Sequence, residues 1–209
     1  MADDVKRKYS AIVFDLGNVL IHFDYNILIE KISGIEPALG NKFVEHYRSN
    51  YSIHRNFERG FISEEMFVKK MLEVIDNRID ANTFCKYYAD IFIVNKKVAS
   101  LLPILKNNCK LFLLSNTDSI HQKYGWQKYD FLKHFDKLIL SYETGAVKPE
   151  EKIYRAVEDA SGYPSEEHIF IDDVEEYVNA AKKLGWDGIH FSNYNSLVEE
   201  LKLRDILQN

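Results

Sequence analysis

Four short polar stretches of this chain carry residues that could do chemistry together. They are Asp15-Leu16-Gly17-Asn18, Ser115-Asn116-Thr117-Asp118, Lys148 ahead of Pro149, and Asp172-Asp173. Three of them follow short apolar runs and read as strand ends, while Lys148 stands at the head of a helix. If the strands share one sheet, its edge collects carboxylates, a hydroxyl, an amide and an ammonium. Such a set suits phosphoryl transfer. A phosphomonoester is a dianion that repels a carboxylate nucleophile, so attack by Asp15 needs cations to neutralise the field. Clustered carboxylates need one too, because like charges packed together do not all stay ionised cheaply. Magnesium meets both demands, taking oxygen ligands from carboxylates while leaving positions for water and phosphate. In this reading Lys148 is a fixed positive charge and Ser115 and Asn116 are neutral donors to phosphoryl oxygens. Gly17 lets a main-chain carbonyl turn closely towards the metal.

The elements that must position these residues are visible as periodicities. Short apolar runs recur at Ala11–Phe14, Leu111–Leu114, Leu138–Leu140, His168–Ile171 and Gly188–Phe191, each suited to a strand buried on both faces of a parallel sheet. Helical faces lie between the later runs: Val98, Leu101, Leu102 and Leu105, then Ile153, Tyr154 and Val157, then Val178, Ala181 and Leu184. Pro149-Glu150 suits a helix start and Gly185 a helix end. This alternation predicts a doubly wound, Rossmann-like α/β core. From about Tyr25 to Phe92 the pattern changes, with helices and no convincing strand. Ser63 is placed to cap a helix with Phe67, Met71, Val74 and Ile75 inward. Asp80 is placed to cap another, with Phe84, Tyr88, Ile91 and Phe92 inward. The aromatic stripe Phe84, Tyr87, Tyr88 and Phe92 reads as helix-packing core. The expected organisation is an α/β core of residues 1–24 and 94–209, with an all-helical insert, residues 25–93, after the first strand.

Composition narrows the function. The chain has 209 residues, 46% apolar and 28% charged, with a formal net charge of −5. That is enough for one sizeable core and argues against disorder. The acidic balance lacks the basic stripe of a nucleic-acid binder. No apolar run is long enough to span a membrane, and AIVF is too short and too soon followed by Asp15 for a signal segment. Cys85 and Cys109 sit in apolar patterns and read as buried small hydrophobes of a reducing compartment, so a cytoplasmic protein is expected, as a monomer or weak homodimer.

Taken in order, FDLGNVL, LFLLSNTD, VKPE and FIDDVEEYVNAA resemble the four motifs of the haloacid dehalogenase superfamily, whose members place a helical cap between the first two. The resemblance covers nearly the whole chain. Within that superfamily, DLGNV and FERGFISEEMF resemble the bacterial glucose-1-phosphate phosphatase subgroup. The resemblance implies that Asp15 is the nucleophile forming an aspartyl-phosphate intermediate, that Ser115 binds phosphate with Asn116 beside it, and that Lys148 bridges nucleophile and phosphate. It implies Asp173 as a direct magnesium ligand, Asp172 as support for the metal or its waters, and the Gly17 carbonyl as a backbone ligand. The implied substrate is a small phosphorylated metabolite, a sugar phosphate above all.

One position departs from the pattern. Family phosphatases usually carry a second aspartate two residues after the nucleophile as general acid and base, and here that position is Gly17. General acid catalysis contributes about 10²–10⁴-fold. A good leaving group suffers less from its loss, and the resembling subgroup shares the glycine. Two rivals follow: a metal-free 2-haloacid dehalogenase, which LGNV and the paired Asp172-Asp173 disfavour, and a non-catalytic binding protein on a phosphatase scaffold. His22 and Asp24 lie where the chain enters the insert, and Glu58 and Arg59 resemble a cap loop that meets substrate. All four are candidates whose bland readings are a hinge, a surface position or a solvated helix turn.

Overall fold

The computed structural model describes residues 8–208. Residues 1–7 of the first expected core segment, including most of the leading MADDVKRKYS, and Asn209 of the last lie outside them. The chain runs through β1 (Ala11–Phe14) and β2 (Ile21–Phe23). Five helices follow, α1 (Tyr25–Ile35), α2 (Pro37–Ser49), α3 (Tyr51–Glu58), α4 (Glu64–Val74) and α5 (Ala81–Ala89). Then come β3 (Phe92–Val94), α6 (Lys96–Ala99), α7 (Leu102–Leu105) and β4 (Lys110–Ser115), a π-helical turn at His121–Trp126, and a 3-10 turn at Asp130–His134. The rest is β5 (Lys137–Leu140), α8 (Ser141–Thr144), α9 (Glu151–Ser161), β6 (His168–Asp172), α10 (Glu175–Lys183), β7 (Asp187–His190) and α11 (Tyr194–Leu203), with a 3-10 turn at Ser165–Glu167 before β6.

Strands β5-β4-β1-β6-β7 form one parallel sheet in that order, so β1 is central, with Phe14 opposite Leu113 on one side and Ile171 on the other. The period-2 alternation of strand side chains splits the core in two. Ile12, Phe14, Leu111, Leu113, Ile169 and Ile171 pack on one face with Leu102, Leu105, Leu197 and Leu201 of α7 and α11. Ala11, Val13, Phe112, Leu114 and Phe170 pack on the other with Ile153, Tyr154, Val157 and Ala181 of α9 and α10. Both faces being covered explains why the strands read as unbroken apolar runs. All five expected runs are strands, within a residue or two at the ends.

Three expectations need correction. Phe92 is not on a helix: α5 ends at Ala89, and β3 pairs antiparallel with β2, Ile21 opposite Val94 and Phe23 opposite Phe92. Phe92 stands four residues after Tyr88, so helical spacing runs on into a three-residue strand too short to announce its own period. The face Val98–Leu105 is two short helices, α6 and α7, with Pro103 in the first turn of the second. Helix α9 begins at Glu151 with Glu150 as its cap residue, leaving Pro149 outside.

The five helices between β2 and β3 build their own apolar cluster, including Leu28, Phe43, Phe67, Met71, Phe84 and Tyr88. Phe57 stacks on Phe67 with ring centroids 4.1 Å apart. The expected caps form: Ser63 Oγ accepts from the Met66 N–H at 3.2 Å and Asp80 Oδ1 from the Thr83 N–H at 3.0 Å. This helical unit meets the sheet domain at the α3–α4 turn. There Gly60 has φ +70°, and a Cβ on it would lie 2.2 Å from the Tyr142 carbonyl oxygen of α8. Glu64 accepts from Ser119 Oγ at 3.0 Å on the same edge.

Gly60→Ala is therefore expected to destabilise the protein by at least ~1–2 kcal/mol from the left-handed backbone alone, with a further loss from the contact with Tyr142. Urea unfolding measures this, with Ser63→Ala as a cap-loss reference at about 1 kcal/mol. A Gly60→Ala protein as stable as the parent would contradict the close docking.

Candidate active site

A central β1 flanked by parallel β4 and β6 brings three carboxyl ends to one edge, where ligands of open α/β sheets bind. Asp15 follows β1, its N–H bonded to the Ile171 carbonyl at 2.9 Å. Ser115 ends β4 and Asp172 ends β6. Between them lies Lys148, only 1% exposed. Its Nζ donates to Asp15 Oδ1 and to Asp172 Oδ2, both at 2.6 Å.

The loop that delivers Lys148 is held by Asn116. Its Oδ1 accepts from the Lys148 N–H at 2.8 Å and its Nδ2 donates to the Lys148 carbonyl at 3.2 Å. Asn116, expected as a donor to phosphate, thus has both ends of its amide engaged with main chain. Ser115 is buried at the strand end, its hydroxyl only 3.5 Å from the Asn116 carbonyl. Asp172 is also fully engaged, since its second oxygen accepts from the Val174 N–H at 2.8 Å. Asp173 is half-buried, accepts from Asn18 Nδ2 at 3.1 Å, and lends its carbonyl to His190 at 3.0 Å. Asn18 reaches it from a left-handed backbone, φ 54°, a conformation Asn tolerates.

Ligand oxygens of Asp15, Asp172 and Asp173 all lie within 4.8 Å of one another. Two carboxylates at that distance repel by about 3 kcal/mol at an effective dielectric of ~20. One ammonium against three carboxylates leaves an excess of two negative charges. Burial, the largest influence, pushes the Asp15 carboxyl up to about 7; Lys148 pulls it down and Asp172 adds to the rise. Burial likewise raises Asp173. A compact all-oxygen donor set with surplus negative charge fits a hard divalent cation such as magnesium. The Gly17 position is tight as well: a Cβ there would lie 3.0 Å from the Phe23 ring of β2.

The remaining candidates are spread around this centre. Asp24 caps α1, accepting from the Asn26 N–H at 2.9 Å. His22 lines a polar cavity of about 490 Å³ with Asn18, Lys97 and Asp173. Glu58 pairs with Arg55 at 3.0 Å, and Arg59 pairs with Glu150, two residues beyond Lys148. Burial, its largest influence, raises the Glu58 carboxyl. Sequence reasoning named Asn18 and Asp118 within their stretches but gave them no role, and it missed the buried pairing of Asp118 with His121, whose Oδ2 and Nδ1 are 2.8 Å apart. His121 stacks flat on Tyr88, ring centroids 4.3 Å apart, at the junction of the helical unit and the sheet domain. Their signal was a carboxylate and an imidazole three residues apart just beyond a strand end.

A sequence model of the haloacid dehalogenase-like hydrolases matches residues 9–185. The chain belongs to this family of enzymes. Among relatives of the family hydrolase, D-ribitol-5-phosphate phosphatase of Bacteroides thetaiotaomicron is 23% identical over 198 residues, covering 91% of this chain and 95% of its own. Pyrimidine 5'-nucleotidase YjjG of Escherichia coli is 21% identical over 197 residues, 88% of each chain. A HAD-family enzyme of Bacteroides thetaiotaomicron superposes with a TM-score of 0.79 at 27% identity, over 92% of this chain and 99% of its own. Its complex with magnesium and inorganic phosphate gives a TM-score of 0.76 at 25% identity, over 90% and 98%. Among the described residues no helix is long and apolar enough to cross a membrane.

Lys148→Met is expected to cost about 3–5 kcal/mol of stability at pH 8, because it leaves buried carboxylates without their counter-charge. The Asp15 carboxyl, already raised by burial, then titrates higher still in the folded protein, so ionising it opposes folding. The deficit should shrink as the pH falls towards about 7, the range in which Asp15 is protonated in the folded variant and still ionised in the parent, and should level off below it. Urea unfolding at pH 8 and pH 5 reads both effects, and a deficit equal at the two pH values would contradict the charge account.

Proposed function

We propose that this hydrolase is a magnesium-dependent phosphatase of small phosphorylated metabolites, with a sugar or polyol phosphate as the substrate class, and that residues 25–93 form a cap over a core of 1–24 and 94–209. The observation that carries the reading is the buried Lys148 bonded to both Asp15 and Asp172, with Asp173 alongside. The relatives' names, one a polyol-phosphate phosphatase and one a nucleotidase, support phosphate monoesters as the common chemistry.

In this mechanism a carboxylate oxygen of Asp15 attacks phosphorus and the bond to the leaving oxygen breaks, leaving the phosphoryl group on Asp15 as a mixed anhydride. Water then attacks that phosphorus, releasing inorganic phosphate and restoring the carboxylate. Lys148 keeps Asp15 aimed and counters the negative charge of the equatorial oxygens, at a site where fixed charges act in low dielectric. The Ser115 hydroxyl donates to a phosphoryl oxygen, while Asn116 acts through the Lys148 loop. Asp15, Asp173 and the Gly17 carbonyl, with Asp172 behind them, would hold magnesium, which would supply positive charge against the phosphate dianion. A metal-free dehalogenase reading leaves the surplus carboxylate charge of this edge without a purpose. A non-catalytic scaffold leaves the buried Asp15–Lys148–Asp172 arrangement unused.

Gly17 supplies no acid, and the Phe23 ring crowds the space where a side chain there would begin. The leaving oxygen therefore departs without a proton donor from that position.

Phosphate release from p-nitrophenyl phosphate should require magnesium, fall by more than tenfold in Asp15→Asn, and fall further in Asp173→Ala than in Asp172→Ala. Magnesium should also raise the melting temperature of the chelator-treated protein, an effect expected of any ligand of the native state, and Asp173→Ala should blunt that rise. Full activity in chelator would sink the reading.

A second test addresses the leaving group. Across substituted phenyl phosphates too small to engage the helical unit, kcat/KM should fall steeply as leaving-group pKa rises. Alkyl phosphates such as ribitol 5-phosphate should then rely on contacts beyond the phosphate for their rate. A flat dependence would mean that another group delivers the proton.

A further inference from the structure

Each helix of the helical unit contributes one ring to a closed circuit of aromatic contacts, and the sheet domain contributes the last. Tyr25 of α1 meets Tyr47 of α2 with ring centroids 6.2 Å apart, and Tyr47 meets His54 of α3 at 4.3 Å. His54 lies edge-on to Phe67 of α4 at 5.2 Å, and Phe67 meets Tyr88 of α5 at 5.4 Å. Tyr88 stacks on His121 of the sheet domain at 4.3 Å, and His121 returns to Tyr25 at 6.3 Å. All six spacings suit favourable aromatic pairs. The circuit holds two imidazoles, His54 and His121, both more than nine-tenths buried. The Nε2 of each is buried and has no hydrogen-bond partner among the described residues. An unpaired buried polar atom costs about 1–3 kcal/mol, so native structures keep few of them.

His121 is held firmly. Asp118 Oδ1 accepts from the Ile120 and His121 N–H groups, both at 2.9 Å, and its Oδ2 accepts from the Tyr88 hydroxyl at 3.3 Å. A carboxylate so surrounded by donors places a ring proton of His121 on Nδ1, 2.8 Å from Oδ2, and leaves Nε2 as the acceptor of the neutral ring. Burial, its largest influence, lowers the His54 imidazole to about 4, so that ring is neutral at neutral pH. The circuit also adjoins the nucleophile. Phe23 packs edge-on against Tyr25 at 5.5 Å, and a Cβ on Gly17 would lie 3.0 Å from the Phe23 ring and 3.9 Å from Asp15 Oδ2. Tyr25 is 36% and Phe23 37% exposed, so solutes reach the circuit on the side that faces Asp15. Aromatic walls with a few convergent polar atoms are the make-up of a small-molecule site. A hydroxyl both donates and accepts, so it satisfies Nε2 of either ring, and the C–H faces between hydroxyls can lie on the aromatic walls.

We propose that His54 and His121, one from each side of the junction, bind hydroxyl groups on the carbon chain of a sugar or polyol phosphate whose phosphate lies at Asp15. The catalytic consequence rests on the phosphatase reading; the binding of a hydroxylated chain does not. Two substitutions remove Nε2 while keeping the surroundings. His54→Phe retains a ring against Tyr47 and Phe67. His121→Asn retains an N–H donor at the position that faces Asp118.

The experiment pairs kinetics with nitrogen NMR of the histidine rings on the full chain. Each substitution should lower kcat/KM for ribitol 5-phosphate about tenfold more than for phenyl phosphate, which offers no hydroxyl; tenfold is the scale of one hydrogen bond. In Asp15→Asn, which holds a phosphate ester without consuming it, ribitol 5-phosphate should shift the Nε2 resonances of His54 and His121, identified by their loss in the two variants. Phenyl phosphate should leave both resonances in place. A loss of equal size on the two substrates would make both histidines structural and overturn the proposal. Resonances that stay put with ribitol 5-phosphate and with glucose 1-phosphate would overturn it as well. A parent protein that hydrolyses no phosphate ester would refute the phosphatase reading, and the ring resonances would still decide whether the two histidines bind a hydroxylated chain.

Discussion

An ammonium buried to 1% exposure between two carboxylates is the constraint from which most of this structure follows. Lysine is almost never fully buried unless paired, and its desolvation is recovered only with good geometry on both sides. That geometry requires β1 and β6 to lie side by side in register, Phe14 opposite Ile171, so that Asp15 and Asp172 emerge together. It requires β4 on the other flank, because Asn116 at its end clasps the main chain of Lys148. The parallel sheet, apolar on both faces, is the frame that fixes these positions. The price is an excess of carboxylate at one edge, and that excess makes a divalent cation a suitable visitor, whose charge in turn offsets the repulsion of a phosphate dianion.

On the proposed reading of residues 25–93 as a cap, the helical unit answers a different need. A charged site open to bulk water would lose much of its electrostatic strength to screening. The unit grows from a two-stranded hairpin, β2 and β3, and comes down on the sheet domain through the Gly60 turn, where no side chain fits. Phe23 of the same hairpin presses on Gly17. A Cβ on the glycine would need that ring to shift.

Much of this was legible in the sequence, for a physical reason. Strands buried on both faces give unbroken apolar runs, so AIVF and HIFI announce themselves and the polar residues that end them, Asp15 and Asp172, stand out by contrast. Helix caps such as Ser63 and Asp80 are local and could be read directly. The hairpin was not legible, because three residues carry less than two periods of a strand and Phe92 keeps step with the helix before it. Nor were the partners of Arg59 and Asn116, which depend on how elements far apart in sequence come together. Asn116 reads as a ligand donor by type, and its amide also clasps the main chain of Lys148. Glu58 and Arg59 stood out in the sequence without their ion-pair partners, which lie on α3 itself and beyond Lys148.

The central claim is that Lys148 holds Asp15 as the nucleophile, and the most direct measurement is chemical. The magnesium-loaded protein would be mixed with a phosphate ester labelled in phosphorus, quenched in acid within a single turnover, and digested for peptide mapping. The account predicts label on the peptide containing Asp15, labile to hydroxylamine as an acyl phosphate must be, and little label when Lys148 is methionine. Turnover that releases labelled phosphate while no peptide carries label at any time in the first turnover would contradict it.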